Sequence, residues 1–110
     1  MVVLEIPREE VRELVEADLD RWGTALDAIL NRFWEACRRH DADSAVGLYR
    51  GEVLCSYTRV VIARSKQTGK PKMWKPELRF YDDGLEEKRR FYDRIALRFF
   101  DKYAWSFEEE

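Results

Sequence analysis

The sequence predicts an α+β fold: a small single domain of amphipathic helices packed on an antiparallel β-sheet or hairpin, closed by a C-terminal helix. Three observations carry this. Apolar residues recur at three- and four-residue spacing from Val11 to Cys37, the stripe of a helix that buries one side. The period then changes: "EVLCSYTRVVIAR" (52–64) and "KMWKPELRFYD" (72–82) are β-branched and aromatic, and the "SKQTGKP" between them is turn chemistry. After Asp82, Asp83 and Gly84 the helical spacing returns. Strands joined by a hairpin rather than by crossover helices belong to an antiparallel sheet. At 110 residues and 45% hydrophobic, the chain has the size of one domain, 1–110, and the side chains to fill a core.

The elements follow in order. "VVLEI" (2–6) is short, β-branched and closed by Pro7, as an edge strand or lead-in would be. Pro7 suits the first turn of a helix, where Glu9 and Glu10 meet the positive end of its dipole. Val11, Leu14, Val15, Trp22, Leu26, Ile29, Leu30, Phe33 and Cys37 form the stripe. Unbroken from 8 to 39, that helix would run about 48 Å, more than a compact domain of this size spans. Gly23 can end a helix, and Thr24 with Asp27 makes a capping box for the next, so two helices, 8–22 and 24–39, are favoured over one. Residues 40–52 read as a connection, with a short turn of helix after Asp43 or Ser44 as the one further element it admits. The last helix opens at Leu85 with Asp82 or Asp83 as its N-cap. Leu85, Tyr92, Ile95, Phe99 and Tyr103 form its inner stripe, and Phe91, Phe100, Trp105 and Phe107 lie off it.

Alternation assigns faces to the hairpin. In its second strand Trp74, Leu78 and Phe80 point one way and Lys75, Glu77, Arg79 and Tyr81 the other, so the first set is the core face. A hairpin centred on Gln67–Thr68 pairs Ile62 with Trp74, Val60 with Pro76 and Thr58 with Leu78. It sets Arg59 opposite Glu77 and Tyr57 opposite Arg79 on the wet face, and a one-residue slip would exchange the faces.

Charge is segregated along the chain. Residues 1–36 hold nine carboxylates and four cations, whereas 56–76 hold Arg59, Arg64, Lys66, Lys70, Lys72 and Lys75 with no carboxylate, within a chain of net charge −2. A polyanion would meet such a protein at one place. Other chemistries find no footing. Cys37, Cys55 and the single His40 do not make a zinc set, and the cysteines read as small buried hydrophobes. "TGK" (68–70) lacks the spaced glycines of a phosphate loop. The helical carboxylates, Glu9, Glu13, Glu16, Glu86 and Glu87, read as solvated, and His40 as a partner for a helix C-terminus. No nucleophile–base arrangement is spaced for catalysis, so a non-enzymatic protein with no cofactor and no metal is expected. "MVVLEIP" is no signal peptide and no apolar run approaches a membrane span, which predicts a cytoplasmic protein. Abundant Glu and Arg with two Cys match a thermophile's composition.

Tyr57, Arg59, Lys75, Arg79 and Tyr81 are thus expected to form a basic, aromatic platform rimmed by Arg64, Lys66, Lys70 and Lys72. Cations that track phosphates beside rings that stack on bases are how single-stranded nucleic acid is bound. Trp74, on the core face, is assigned to packing. Two acidic helices on an antiparallel sheet, the hairpin "YTRVVIARSKQTGKPKMWKPELRFY" and a closing helix resemble the ThermoDBP-related single-stranded DNA-binding proteins of hyperthermophilic archaea. The resemblance lies in element order and composition, and it implies DNA ahead of RNA as partner. The rival expectation is a helix-mediated homodimer, a regulatory or viral protein-interaction module, drawn from the surplus of rings on the last helix. The tail "AWSFEEE" is either an acidic competitor for the platform or a packed end kept soluble by its glutamates.

Overall fold

The computed structural model describes residues 1–95. They form β1 (Val2–Glu5), α1 (Arg8–Glu16), α2 (Leu19–His40), β2 (Ser44–Tyr49), β3 (Glu52–Arg64), β4 (Pro71–Phe80) and α3 (Asp83–Ile95). The strands make one sheet in the order β1-β2-β3-β4. The α+β class is as the sequence predicts, but the sheet is mixed. β2, β3 and β4 are antiparallel neighbours, while β1 lies parallel to β2 with Val2 opposite Ala45 and Leu4 opposite Gly47. A parallel pair needs a crossover, and α1 and α2 together supply it.

The crossover is two helices, and the break falls at Ala17–Asp18 rather than at Gly23. Ala17 is extended, and the Asp18 carboxylate accepts the Arg21 N–H at 3.1 Å, so an aspartate caps α2 where the sequence suggested threonine. The Trp22 indole N–H donates to the Leu14 carbonyl at 3.0 Å and so fixes the angle between the helices. Gly23 stays helical and buried, because the Tyr92 ring lies against it. At the other end Asp41 turns left-handed (φ 50°) and the Ala42 N–H closes on the Cys37 carbonyl at 2.9 Å, with Arg38, Arg39 and His40 in the last turn.

Residues 44–49, expected as a connection, are the strand β2. Its buried positions, Ala45 and Gly47, are small, and at Gly47 the inner side is crowded. A Cβ at Gly47 would lie 2.9 Å from Cys55 Sγ and 3.0 Å from both Ile6 Cγ1 and Phe33 Cζ. Arg50 and Gly51, both at positive φ (53° and 80°), make the tight turn into β3.

The β3–β4 register is the larger correction. It is slipped by one from the expected pairing over most of its length: Tyr57 faces Leu78, Arg59 faces Pro76 and Val61 faces Trp74. An irregularity at Ile62 restores the expected offset at Ala63–Met73. The slip turns Cys55, Tyr57 and Arg59 inward and leaves Thr58 and Ile62 exposed. Size decides it. The Tyr57 ring stacks on Phe33 at 5.3 Å and 7°, a contact that a threonine or valine on that face could not make.

The helices cover one face of this sheet. Leu14, Trp22, Leu26, Ile29, Leu30, Phe33 and Cys37 pack there with Cys55, Tyr57, Leu78, Phe80 and Leu85. Fully buried Trp22 joins α2 to β4 and α3, with the rings of Phe80 and Tyr92 at 6.1 and 6.2 Å. Loss of such a side chain costs about 3–5 kcal/mol. Among the described residues no helix lies on the other face, where Val3, Thr58, Ile62, Lys75, Glu77 and Arg79 are exposed. Asp82 caps α3 by accepting the Leu85 N–H at 3.1 Å. Leu85 is buried and Tyr92 half-buried on the core as expected, and Phe91 is exposed. Phe99, Phe100, Tyr103, Trp105, Phe107 and the acidic tail lie outside the described residues.

Candidate nucleic-acid interface

The expected platform divides into an arm, an open face and a buried pair. The arm is the far end of the β3–β4 hairpin. Ser65 organises its tip: its Oγ accepts the N–H groups of Gln67 at 3.2 Å and Thr68 at 3.3 Å, and its carbonyl accepts the Gly69 N–H at 2.9 Å. Gly69, at φ 73°, makes the turn that lets the Lys70 carbonyl return to the Ser65 N–H at 3.0 Å. The Arg64 guanidinium donates to the Gly69 carbonyl at 3.1 Å, bracing the loop. Lys66, Lys70 and Lys72 are exposed around this tip. Among the described residues none of the three forms an ion pair with a carboxylate.

The open face begins where the arm joins the sheet. Register places Val3, Val46, Ser56 and Arg79 in one row across all four strands, and Ser44, Thr58 and Glu77 in the next. Lys75 stands opposite Val60 beyond them. Glu77 lies between Lys75 and Arg79 on β4, so this part of the face is less positive than the arm. At its corner the Tyr81 hydroxyl donates to Ser56 Oγ at 3.2 Å, and the Arg79 guanidinium lies 5.5 Å from the Tyr81 ring centroid. Tyr81 is 55% exposed. Periodicity assigned Tyr81, Arg79 and Lys75 to this face correctly, but Ser56 was out of reach, because naming it needs the true register.

Tyr57 and Arg59 are not on this face. Burial pushes the Tyr57 phenol well above its usual range, and neighbouring Cys37 adds to the rise. Arg59 is 7% exposed, with its guanidinium 4.7 Å from the Trp74 ring centroid and 3.6 Å from an Asp43 carboxylate oxygen. Its N–H also donates to the Asp43 carbonyl at 2.7 Å. A buried guanidinium over an indole, paired with a solvent-exposed carboxylate, ties the residue before β2 to the hairpin. Trp74 packs, as expected.

Away from the sheet face, three glutamates gather beside α2. A cleft of about 350 Å³ between α1 and α2 is lined by Glu9, Glu10, Glu13, Arg21, Thr24, Ala25 and Ala28. Two of its carboxylates are engaged, Glu13 by Arg21 at 3.3 Å and Glu10 by the Arg32 guanidinium. Among the described residues no cluster of three or more His, Cys, Asp or Glu could hold a metal ion. No described helix is long and apolar enough to cross a membrane. Compared with known proteins, the chain matches no family model, no curated protein and no solved structure.

Proposed function

We propose that the chain is a non-catalytic binding protein for single-stranded nucleic acid, with DNA the first partner to test, and that the β3–β4 arm takes the phosphates. The observation that carries this is the arm itself. Lys66, Lys70 and Lys72 are exposed on a tip braced by Ser65 and Arg64, with no carboxylate in the sequence from Ser56 to Pro76. Lysines spread over a solvated surface alternate with carboxylates; a braced, one-sign projection concentrates potential for a polyanion. Among the described residues no helix covers the adjoining sheet face, which carries Lys75, Arg79 and an exposed ring, as a strand with accessible bases would require.

The test is fluorescence anisotropy with a labelled single-stranded DNA oligonucleotide across a salt series. Binding should weaken with salt. The triple variant Lys66→Glu, Lys70→Glu, Lys72→Glu should lose affinity for all base sequences alike, and the slope of log K on log salt should shrink by about 2. Equal binding by the variant would remove the arm from the site and this function with it.

A further inference from the structure

Resting on that proposal, we infer that Tyr81, held by Ser56 and Arg79, is the base-stacking subsite, so that phosphates lie on the arm while a base lies on the corner of the open face. Two described aromatic residues are exposed, Tyr81 at 55% and Phe91 at 37%, and they belong to different layers. Phe91 is on α3, with the Arg94 guanidinium 5.8 Å from its ring centroid. Tyr81 shares a face with Lys75 and Arg79 and follows directly from the strand that forms one side of the arm.

Its exposure is not slack. The hydroxyl is tied to Ser56 at 3.2 Å and the Arg79 guanidinium flanks the ring, so the phenol is fixed without being packed into the core. A ring fixed before it binds loses little conformational freedom on stacking, and stacked rings beside a guanidinium are a recurrent way of holding an unpaired base. The neighbouring strand positions on this face bear hydroxyls and modest apolar groups, Ser56, Thr58, Val46 and Val60, against which a base can lie.

Spacing gives a second consequence. Lys72 and Tyr81 lie nine residues apart along β4 and its exit, or about 30 Å at strand rise. A strand must bridge that distance to use both, which corresponds to about nine phosphates at a stacked spacing of 3.4 Å and to fewer in an extended strand. Oligonucleotides of two or three residues can reach the arm or the ring but not both.

Two ten-residue probes separate the possibilities: one thymidine strand carrying a single 2-aminopurine, and one strand of abasic residues of equal charge. The wild-type protein should bind the base-bearing strand more tightly and quench the 2-aminopurine. Tyr81→Leu should lower affinity for that strand roughly 5- to 150-fold, the range for one stacked base, relieve the quenching, and leave abasic binding unchanged. Tyr81→Phe should retain most of both signals, which guards against a folding artefact. If Tyr81→Leu binds and quenches as the wild type does, or if the wild type binds both strands equally, the stacking subsite is wrong and the arm alone accounts for binding. If the wild type binds neither strand, the nucleic-acid function fails and the subsite with it.

Discussion

Gly23 lies directly beneath the ring of Tyr92: a Cβ at position 23 would stand 2.4 Å from the phenolic oxygen and 2.7 Å from Cζ. The glycine is therefore a packing requirement in the second turn of α2, not a helix stop. Alanine in a helix interior ordinarily stabilises by about 1 kcal/mol relative to glycine, whereas forcing a methyl into a filled site costs about 1–3 kcal/mol. Gly23→Ala should lower the melting temperature. In a Tyr92→Ala background the same change should raise it, and a double-mutant cycle by urea denaturation reads the coupling. A stabilising Gly23→Ala in the wild-type background would show that α2 and α3 are not in contact there.

Lys88 joins α3 to the end of α1. Its ammonium lies 2.9 Å from the Val15 carbonyl and 3.2 Å from those of Leu14 and Ala17, carbonyls that a helix C-terminus leaves without intrahelical partners, Leu14 sharing its own with the Trp22 indole. Lys88→Met keeps the stem and removes the donors, so it should cost about 1–3 kcal/mol in urea unfolding. An unchanged midpoint would mean that water replaces the ammonium without loss.

Glu86 gives the fold an acid-sensitive joint. Burial pushes its carboxyl up, but Arg89, the Phe80 N–H at 2.9 Å and Arg90 outweigh that and leave it below its ordinary value. A carboxyl depressed in the folded state contributes stability that is present above its unfolded value, about 4.3, and is lost as pH falls through the folded value. Urea midpoints for the wild type should therefore hold from neutrality down to about pH 5 and decline below about pH 4. Glu86→Gln should be less stable at neutral pH and show a shallower decline. Parallel curves for the two proteins would assign the acid response to other carboxylates.

Both cysteines should be inert in the native state. Burial raises the Cys37 thiol above its usual range and pushes the Cys55 thiol up to about 12, so neither forms thiolate near neutrality. A thiol-specific disulfide reagent at pH 8 should label neither until the protein is unfolded by denaturant. Rapid labelling of native Cys55 would show that the sheet opens beside Gly47.

How far the sequence spoke depends on whether each feature is local. The carboxylate-free arm, the apolar stripe through Trp22 and Phe33, and the outward side of β4 depend only on spacing, and all three are found, save that Val15 of the stripe is exposed. β2 escaped because Gly47 is small to admit Phe33, Cys55 and Ile6, a demand made by residues distant in sequence. The β3 face was misread because Thr58, Val60 and Ile62 look like a core set by type, while Tyr57 and Arg59 are drawn inward by Phe33, Trp74 and Asp43. β-branched residues suit either side of a strand, so residue type alone could not choose.

The parallel pairing of β1 with β2 also bears on the order in which the protein assembles. β2, β3 and β4 follow one another through short turns, so their pairing closes small loops, whereas Val2 meets Ala45 only after α1 and α2 are both in place. Contacts that close long loops form late and slow the folding reaction. The three-stranded meander with α2 is thus the natural nucleus, and β1 is the latch that completes the sheet. Until β1 docks, the edge of β2 is bare, and each transient release of β1 re-exposes a strand able to pair with another chain. The same crossover that gives the sheet its fourth strand also makes its aggregation depend on how firmly four residues hold.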